Sequence, residues 1–101
     1  MFGWFRNKNI KKFLERDAII VDVRTPAEFK QAHAKGAVNM PMNIIEARTK
    51  LLKKKGRPVI LCCRSGMRAG KALKILENAG IEAVNGGGWK RVGSFTGRII
   101  D

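Results

Sequence analysis

Short apolar runs alternate along this chain with segments whose apolar residues recur every three or four positions. Ile10, Phe13 and Leu14 fall at that helical spacing and predict a first helix over 8–16. AIIVDV at 18–23 is compact and β-branched, and predicts a buried strand. Thr25-Pro26-Ala27-Glu28 marks a helix start: Thr25 caps, Pro26 suits the first helical position, and Glu28 completes a capping box. That helix should end before Gly36, and Ala37–Met40 should be extended ahead of Pro41. Ile44, Ile45, Arg48, Leu51 and Leu52 share one face of a helix over 43–54. Lys53, Lys54 and Lys55 fill its last turn, where the helix dipole favours cations, and Gly56 closes it. PVILCC at 58–63 predicts a second buried strand. Ala69, Ala72, Leu73, Leu76 and Ala79 define a helix over 67–79, with Gly80 as its cap. Ile81–Val84 reads as a third strand and Gly86–Gly88 as a loop. After Trp89 the pattern assigns no element.

Strands alternating with helices predict an α/β domain built on a mainly parallel sheet. In such sheets, ligand sites form beyond the carboxyl ends of the strands. Cys63 stands at one such end and Asp22-Val23-Arg24 at another. The length, 101 residues, fits one domain over 1–101 with its core at about 8–93. No apolar run is long enough to span a bilayer.

Charge and cysteine usage sharpen the picture. The chain carries 21 Lys and Arg against 8 Asp and Glu, a formal charge of +13. Such a balance attracts anions in general. Nucleic acid is not the expected partner, because the chain has no tyrosine, no RNA-recognition signature and no zinc-finger spacing. An anionic substrate, or an acidic protein partner, fits the charge. Cys62 and Cys63 are adjacent, so a disulfide between them would be strained. They read as free thiols of a reducing, cytoplasmic compartment. With only these two and the distant His33, no zinc-type ligand set is expected, and no cofactor is called for.

The loop CRSGMR, 63–68, carries the candidate chemistry. A tight loop entering a helix turns several backbone N–H groups inward, and with the helix dipole they favour an anion at its centre. Cys63 at the loop's start is held over that centre, where the same field favours thiolate over thiol. Ser65 and Gly66 allow a compact turn, and Arg64 and Arg68 add bidentate oxyanion donors. The arrangement is an activated nucleophile beside an anion cradle. Strand alternation sends Cys62 to the other side of the sheet, where a small buried hydrophobe is expected. Cys62 has the five-residue spacing to Arg68 found in cysteine phosphatases, but Ser65 stands where that pattern wants glycine. Cys63 has Gly66 at the matching place but Ala69 where that pattern has arginine.

Four segments in order resemble the rhodanese family over roughly 17–92: DAIIVDVRTPAEF (17–29), AHAKGAVNMP (32–41), CRSGMR (63–68) and IEAVNGGGW (81–89). Specifically, the chain resembles a small thiosulfate sulfurtransferase. The resemblance implies a doubly wound, mainly parallel sheet with helices on both faces. It also implies that Cys63 carries a persulfide. Its thiolate would attack the sulfane sulfur of a small anionic donor such as thiosulfate, releasing sulfite, and a thiol or cyanide acceptor would then remove the sulfur. Arg64, Ser65, Gly66, Met67 and Arg68 would bind the donor, with the loop N–H groups stabilising the persulfide. Related phosphatases and arsenate reductases have loops one residue longer, which makes that chemistry the lesser alternative. A persulfide carrier or protein-binding module is the other. The chain departs from the family's pattern at Ala69, where Ser or Thr is common, and at Ala32, where glycine usually precedes the histidine.

Other conspicuous residues read as structural. Asp22 and Arg24 are expected to tie the first loop together, and His33 is not needed as a base beside an activated thiolate. Lys50–Arg57 reads as a solvated helix end. Gly86–Gly88 serve either a tight turn or a close ligand approach. Phe2, Trp4 and Phe5 either pack on the domain or form a sticky contact.

Overall fold

The structure, a computed structural model, describes residues 2–101; Met1 of the expected domain lies outside the described residues, as does the side chain of Phe2. Four parallel strands form the central sheet in the order β3 (Val38–Asn39), β1 (Ile19–Asp22), β4 (Val59–Cys63), β5 (Ala83–Gly88). The chain leaves β1 for β3 on one side and later returns to β4 on the other. The order therefore reverses between β1 and β4, the point where such sheets open a crevice at their carboxyl ends. Cys63 and Asp22 end those two strands, and Asp22 lies opposite Cys62 in register.

Alternation divides the sheet into two packed faces. Ile19, Val21, Val59, Leu61 and Cys63 point to one face, where α3 (Met42–Lys55) and α4 (Met67–Asn78) cover them with Ile45, Leu52, Ala69, Ala72 and Leu76. Ile20, Ile60 and Cys62 point to the other, covered by Ile10 of α1 (Phe2–Glu15) and by Trp89 and Val92 of α5 (Trp89–Thr96). Helices thus flank both faces, as expected. The capping box at Thr25 and Glu28 forms in full, opening α2 (Pro26–Gln31), and Gly56 closes α3 in the left-handed conformation.

Four regions differ from the sequence expectation. Helix α1 starts well before residue 8, because its first turns face the domain with Gly3 and Arg6 rather than with a periodic apolar stripe. Helix α2 stops at Gln31, before Gly36 as expected, but β2 (Ala32–Ala34), for which the sequence pattern gives no strand, follows it and pairs antiparallel with β6 (Arg98–Ile100) from the far end of the chain. Ala32 has φ −169°, ordinary extended backbone, so no glycine is needed there. The unassigned tail is α5 and β6. Last, the glycines at 86–88 are strand rather than loop: β5 runs through them with a bulge, its register to β4 shifting between the Leu61–Asn85 and Cys63–Gly88 pairs. Three glycines in a row carry no β-forming side chains, so the sequence pattern gives them no strand signal.

Candidate active site

Strand β4 delivers Cys63 to the sheet's carboxyl end, and α4 starts four residues later with Gly66 as its N-cap. Gly66 has φ +103°, which only glycine adopts freely, and this tight turn brings its N–H to 2.9 Å from Cys63 Sγ. Burial pushes the Cys63 thiol up, but the N–H groups of Ala69, Ser65, Gly66 and Arg68 act together against it. The net pKa falls below the ordinary thiol value. Ala69 therefore takes part through its backbone, without the hydroxyl of a serine or threonine. Cys62 is fully buried on the opposite face, and burial, with the nearby Asp22 charge, pushes its thiol strongly up. The two adjacent cysteines are thus driven in opposite directions by which side of the sheet each faces.

The two loop arginines are used differently. Arg64 is exposed, makes no hydrogen bond or ion pair among the described residues, and lines a cavity of about 460 Å³ shared with Glu28, Gln31, Trp89 and Lys90. Arg68 is bound bidentately by Glu28, at 2.7 and 3.1 Å. Ser65 and Met67 are exposed on the loop, and Gly66 is buried in it. Sequence reasoning saw Glu28 only as half of a capping box. In the structure one carboxylate both caps α2 and anchors the end of the catalytic-type loop. The Arg68 guanidinium first, then the Thr25 N–H, hold Glu28 well below its ordinary 4.5, at about 2. Because its folded pKa is depressed, this pair adds stability fully above pH 4.5 and loses it as pH falls through about 2. Glu28→Gln, which keeps a capping side chain, should melt below wild type at pH 6, with the gap closing towards pH 2. A gap that stays constant in thermal melts over that range contradicts the assignment.

Strand β5 supports the loop from the other side. Asn85 Nδ2 donates to Gly66 O at 2.9 Å while its Oδ1 accepts from Gly87 N–H at 2.8 Å. Asn85 went unremarked in the sequence, although an Asn-Gly pair at a strand's end is a backbone-turning signal. The glycines resolve as a close approach, with the loop itself as the neighbour. A Cβ on Gly88 would lie 2.7 Å from Arg64 O, and one on Gly66 would lie 3.2 Å from Gly87 Cα.

The remaining sequence candidates make their contacts outside the 63–68 loop. Asp22 and Arg24 form a buried ion pair, and Arg24 reaches on to Ala32 O at 2.6 Å. His33 stacks on Phe29 with centroids 3.8 Å apart, and its Nδ1 meets Phe29 O at 2.7 Å. Lys50 and Lys53–Arg57 are exposed at and beyond the end of α3, where Arg57 donates to Asp17 O. Trp4 and Phe5 do not pack into the domain; they are 62% and 56% exposed. Among the described residues, no three His, Cys, Asp or Glu side chains come together as a metal site. None of the helices is long and apolar enough to cross a membrane.

Comparison with known proteins agrees with the fold. The sequence profile of the rhodanese-like domain matches residues 7–94. An uncharacterized protein of Synechocystis sp. is 35% identical over 92 residues, covering 85% of this chain and 51% of that protein. Thiosulfate sulfurtransferase PspE of Escherichia coli is 34% identical over 74 residues, covering 71% of each. A rhodanese from E. coli, solved with anions, superposes with a TM-score of 0.73 at 28% identity, covering 83% of this chain and 99% of that one. The chain spans between half and two thirds of the length of several curated relatives it matches.

Proposed function

We propose that this chain, which belongs to the rhodanese-like domain family, is a sulfurtransferase working through a persulfide on Cys63. The observation that carries the proposal is the loop geometry: a sulfur at the end of β4, bonded by the Gly66 N–H and lowered in pKa by the surrounding amides. Lowering the pKa raises the share of thiolate, the nucleophilic form, without a separate base.

With thiosulfate as donor, the Cys63 thiolate attacks the outer sulfane sulfur. A new sulfur–sulfur bond forms, the bond to the sulfonate sulfur breaks with its electron pair, and sulfite departs. Cys63 is left as an anionic persulfide, and the inward N–H groups that favoured the thiolate favour that charge as well. Arg64 supplies the free guanidinium for the donor's oxygens, and Arg68 contributes its charge while shared with Glu28. Ser65, Gly66 and Met67 complete the donor contact as the body of the loop. An acceptor thiolate or cyanide then attacks the outer sulfur, and the electron pair of the broken bond returns to Cys63. No oxidant, metal or organic cofactor enters either step. A sulfurtransferase name on relatives such as PspE supports this reading, as does the E. coli rhodanese solved with anions. The two free thiols favour a reducing, cytoplasmic setting for it.

The phosphatase alternative is disfavoured by the same geometry. Cys62, which has the phosphatase spacing to Arg68, faces away from the loop, and the loop that starts at Cys63 is one residue short. Turnover decides between them. The protein should form thiocyanate from thiosulfate and cyanide while leaving p-nitrophenyl phosphate intact. Aryl phosphate hydrolysis without thiocyanate formation contradicts the proposal.

A further inference from the structure

Helix α1 brings its first two turns to the same end of the molecule as Cys63, and nothing in the sulfur chemistry uses them. Arg6 lies against the loop: its Nη1 is 3.4 Å from where a Cβ on Gly66 would sit, and 3.1 Å from one on Gly87. Arg91 of α5 fixes the helix there, donating to Asn7 Oδ1 at 3.0 Å and Gly3 O at 3.4 Å. Arg6 itself has no hydrogen bond or ion pair with any described residue. Met67 on the loop is 77% exposed, and Trp4 and Phe5, which precede Arg6 on α1, are exposed large apolar side chains too.

The charge around this junction is of one sign. The segments that meet here are residues 2–14, 63–76 and 83–100, and their sequences contain no aspartate or glutamate. They supply Arg6, Arg64, Lys90 and Arg91 near the loop, and of the carboxylates from elsewhere Glu28 is taken by Arg68 and the buried Asp22 by Arg24. A small donor such as thiosulfate needs the amide cradle and a guanidinium. It meets Met67 only through the loop backbone, and has no use for the exposed side chains of Met67, Phe5 and Trp4.

We propose that this surface docks an acidic protein whose cysteine exchanges sulfur with Cys63. Rim cations steer an acidic partner and set its orientation. Met, Trp, Phe and Arg are the residue types enriched in protein interfaces, where aromatic and arginine anchors dominate binding. The occupant is a protein rather than a nucleic acid or a lipid surface because the reaction at the centre of the patch needs a thiolate. The partner's cysteine thiolate attacks the outer persulfide sulfur, the bond to Cys63 Sγ breaks, and its electron pair restores the Cys63 thiolate. The partner leaves as the persulfide, and no other reactant is consumed. The inference rests on the persulfide reading of Cys63.

The test loads the protein with thiosulfate and follows transfer to three acceptors: cyanide, a cysteine peptide flanked by glutamates, and the same peptide flanked by lysines. The acidic peptide should be favoured over the basic one by at least about tenfold in kcat/KM, and added salt should erode that preference. Phe5→Ser and Arg6→Gln should remove most of the preference while transfer to cyanide stays within about twofold, which also reports intact folding. Normal transfer to cyanide with no preference for the acidic peptide overturns the docking surface alone. So does a preference that survives both substitutions, or one replaced by binding of polyuridylate or phosphatidylserine vesicles through Phe5 and Arg6. Absence of transfer to all three acceptors overturns the persulfide reading and this proposal with it.

Discussion

Asp22→Ala should destabilise the protein by about 3–5 kcal/mol, the usual consequence of leaving one partner of a buried ion pair alone. Asp22 is fully buried and Arg24 is 4% exposed. The carboxylate takes Arg24 Nε at 3.0 Å, Nη2 at 2.9 Å and the Arg24 backbone N–H at 3.0 Å. Removing it leaves a mostly buried guanidinium without its counter-ion at the wall of the cavity beside Arg64, with Ala32 O at 2.6 Å and the Trp89 ring at 5.0 Å. A domain of this size has roughly 5–15 kcal/mol in total, and each kcal/mol moves its melting temperature by about 4–8 °C. A fall of at least about 12 °C in a thermal melt is therefore expected. The double variant Asp22→Leu, Arg24→Met should be markedly more stable than Asp22→Ala, because it removes both charges rather than one. If the double variant is the less stable of the two, the stranded charge is not the cause. The site depends on this pair indirectly: Arg24 ties the end of β1 to β2 and to Trp89, two walls of the cavity beside Arg64.

Cys63→Ser should reduce thiosulfate turnover by at least about 10³-fold, since a hydroxyl in the same cradle is not an anion at neutral pH. Cys62→Ala should leave turnover within about threefold, because Cys62 packs against the other face of the sheet and is not part of the loop. The two thiols also differ in pH response. With the Cys63 pKa lowered, its thiolate persists below the ordinary thiol range and is lost as pH falls through the depressed value. Alkylation of wild type by iodoacetamide should therefore titrate below about pH 8.5 and vanish in Cys63→Ser. Cys62 is no more buried than Cys63, but it lacks the loop amides and its thiol is raised, so it should not react in the folded protein. An alkylation profile centred at or above the ordinary thiol range contradicts the proposed activation.

Much of this was legible in the residues, and where it was not the reason is physical. Strands such as AIIVDV and PVILCC announce themselves because both faces are buried and every position but Asp22 is apolar. The same alternation separates Cys62 from Cys63. The capping box and Gly56 are local chemistry, so they read correctly. What escaped depends on partners far away in the chain. Ala32–Ala34 is a strand only because Arg98–Ile100 pairs with it. Gly86–Gly88 is a strand only because β4 and Arg64 O approach too closely for a Cβ. Glu28 has the same sequence signature whether or not Arg68 comes to meet it, and Arg6 carries no signal that places it beside Gly66. The loop's chemistry lies in consecutive residues, whereas its supports lie on three other elements.

The central claim is that Cys63 carries transferable sulfur, and intact mass tests it most directly. Reduced protein incubated with thiosulfate and freed of excess reagent should gain the mass of one sulfur in wild type and in Cys62→Ala. Cys63→Ser should gain none, and cyanide should return the wild-type mass to its starting value. A gain that persists in Cys63→Ser, or no gain in any form, would contradict the account.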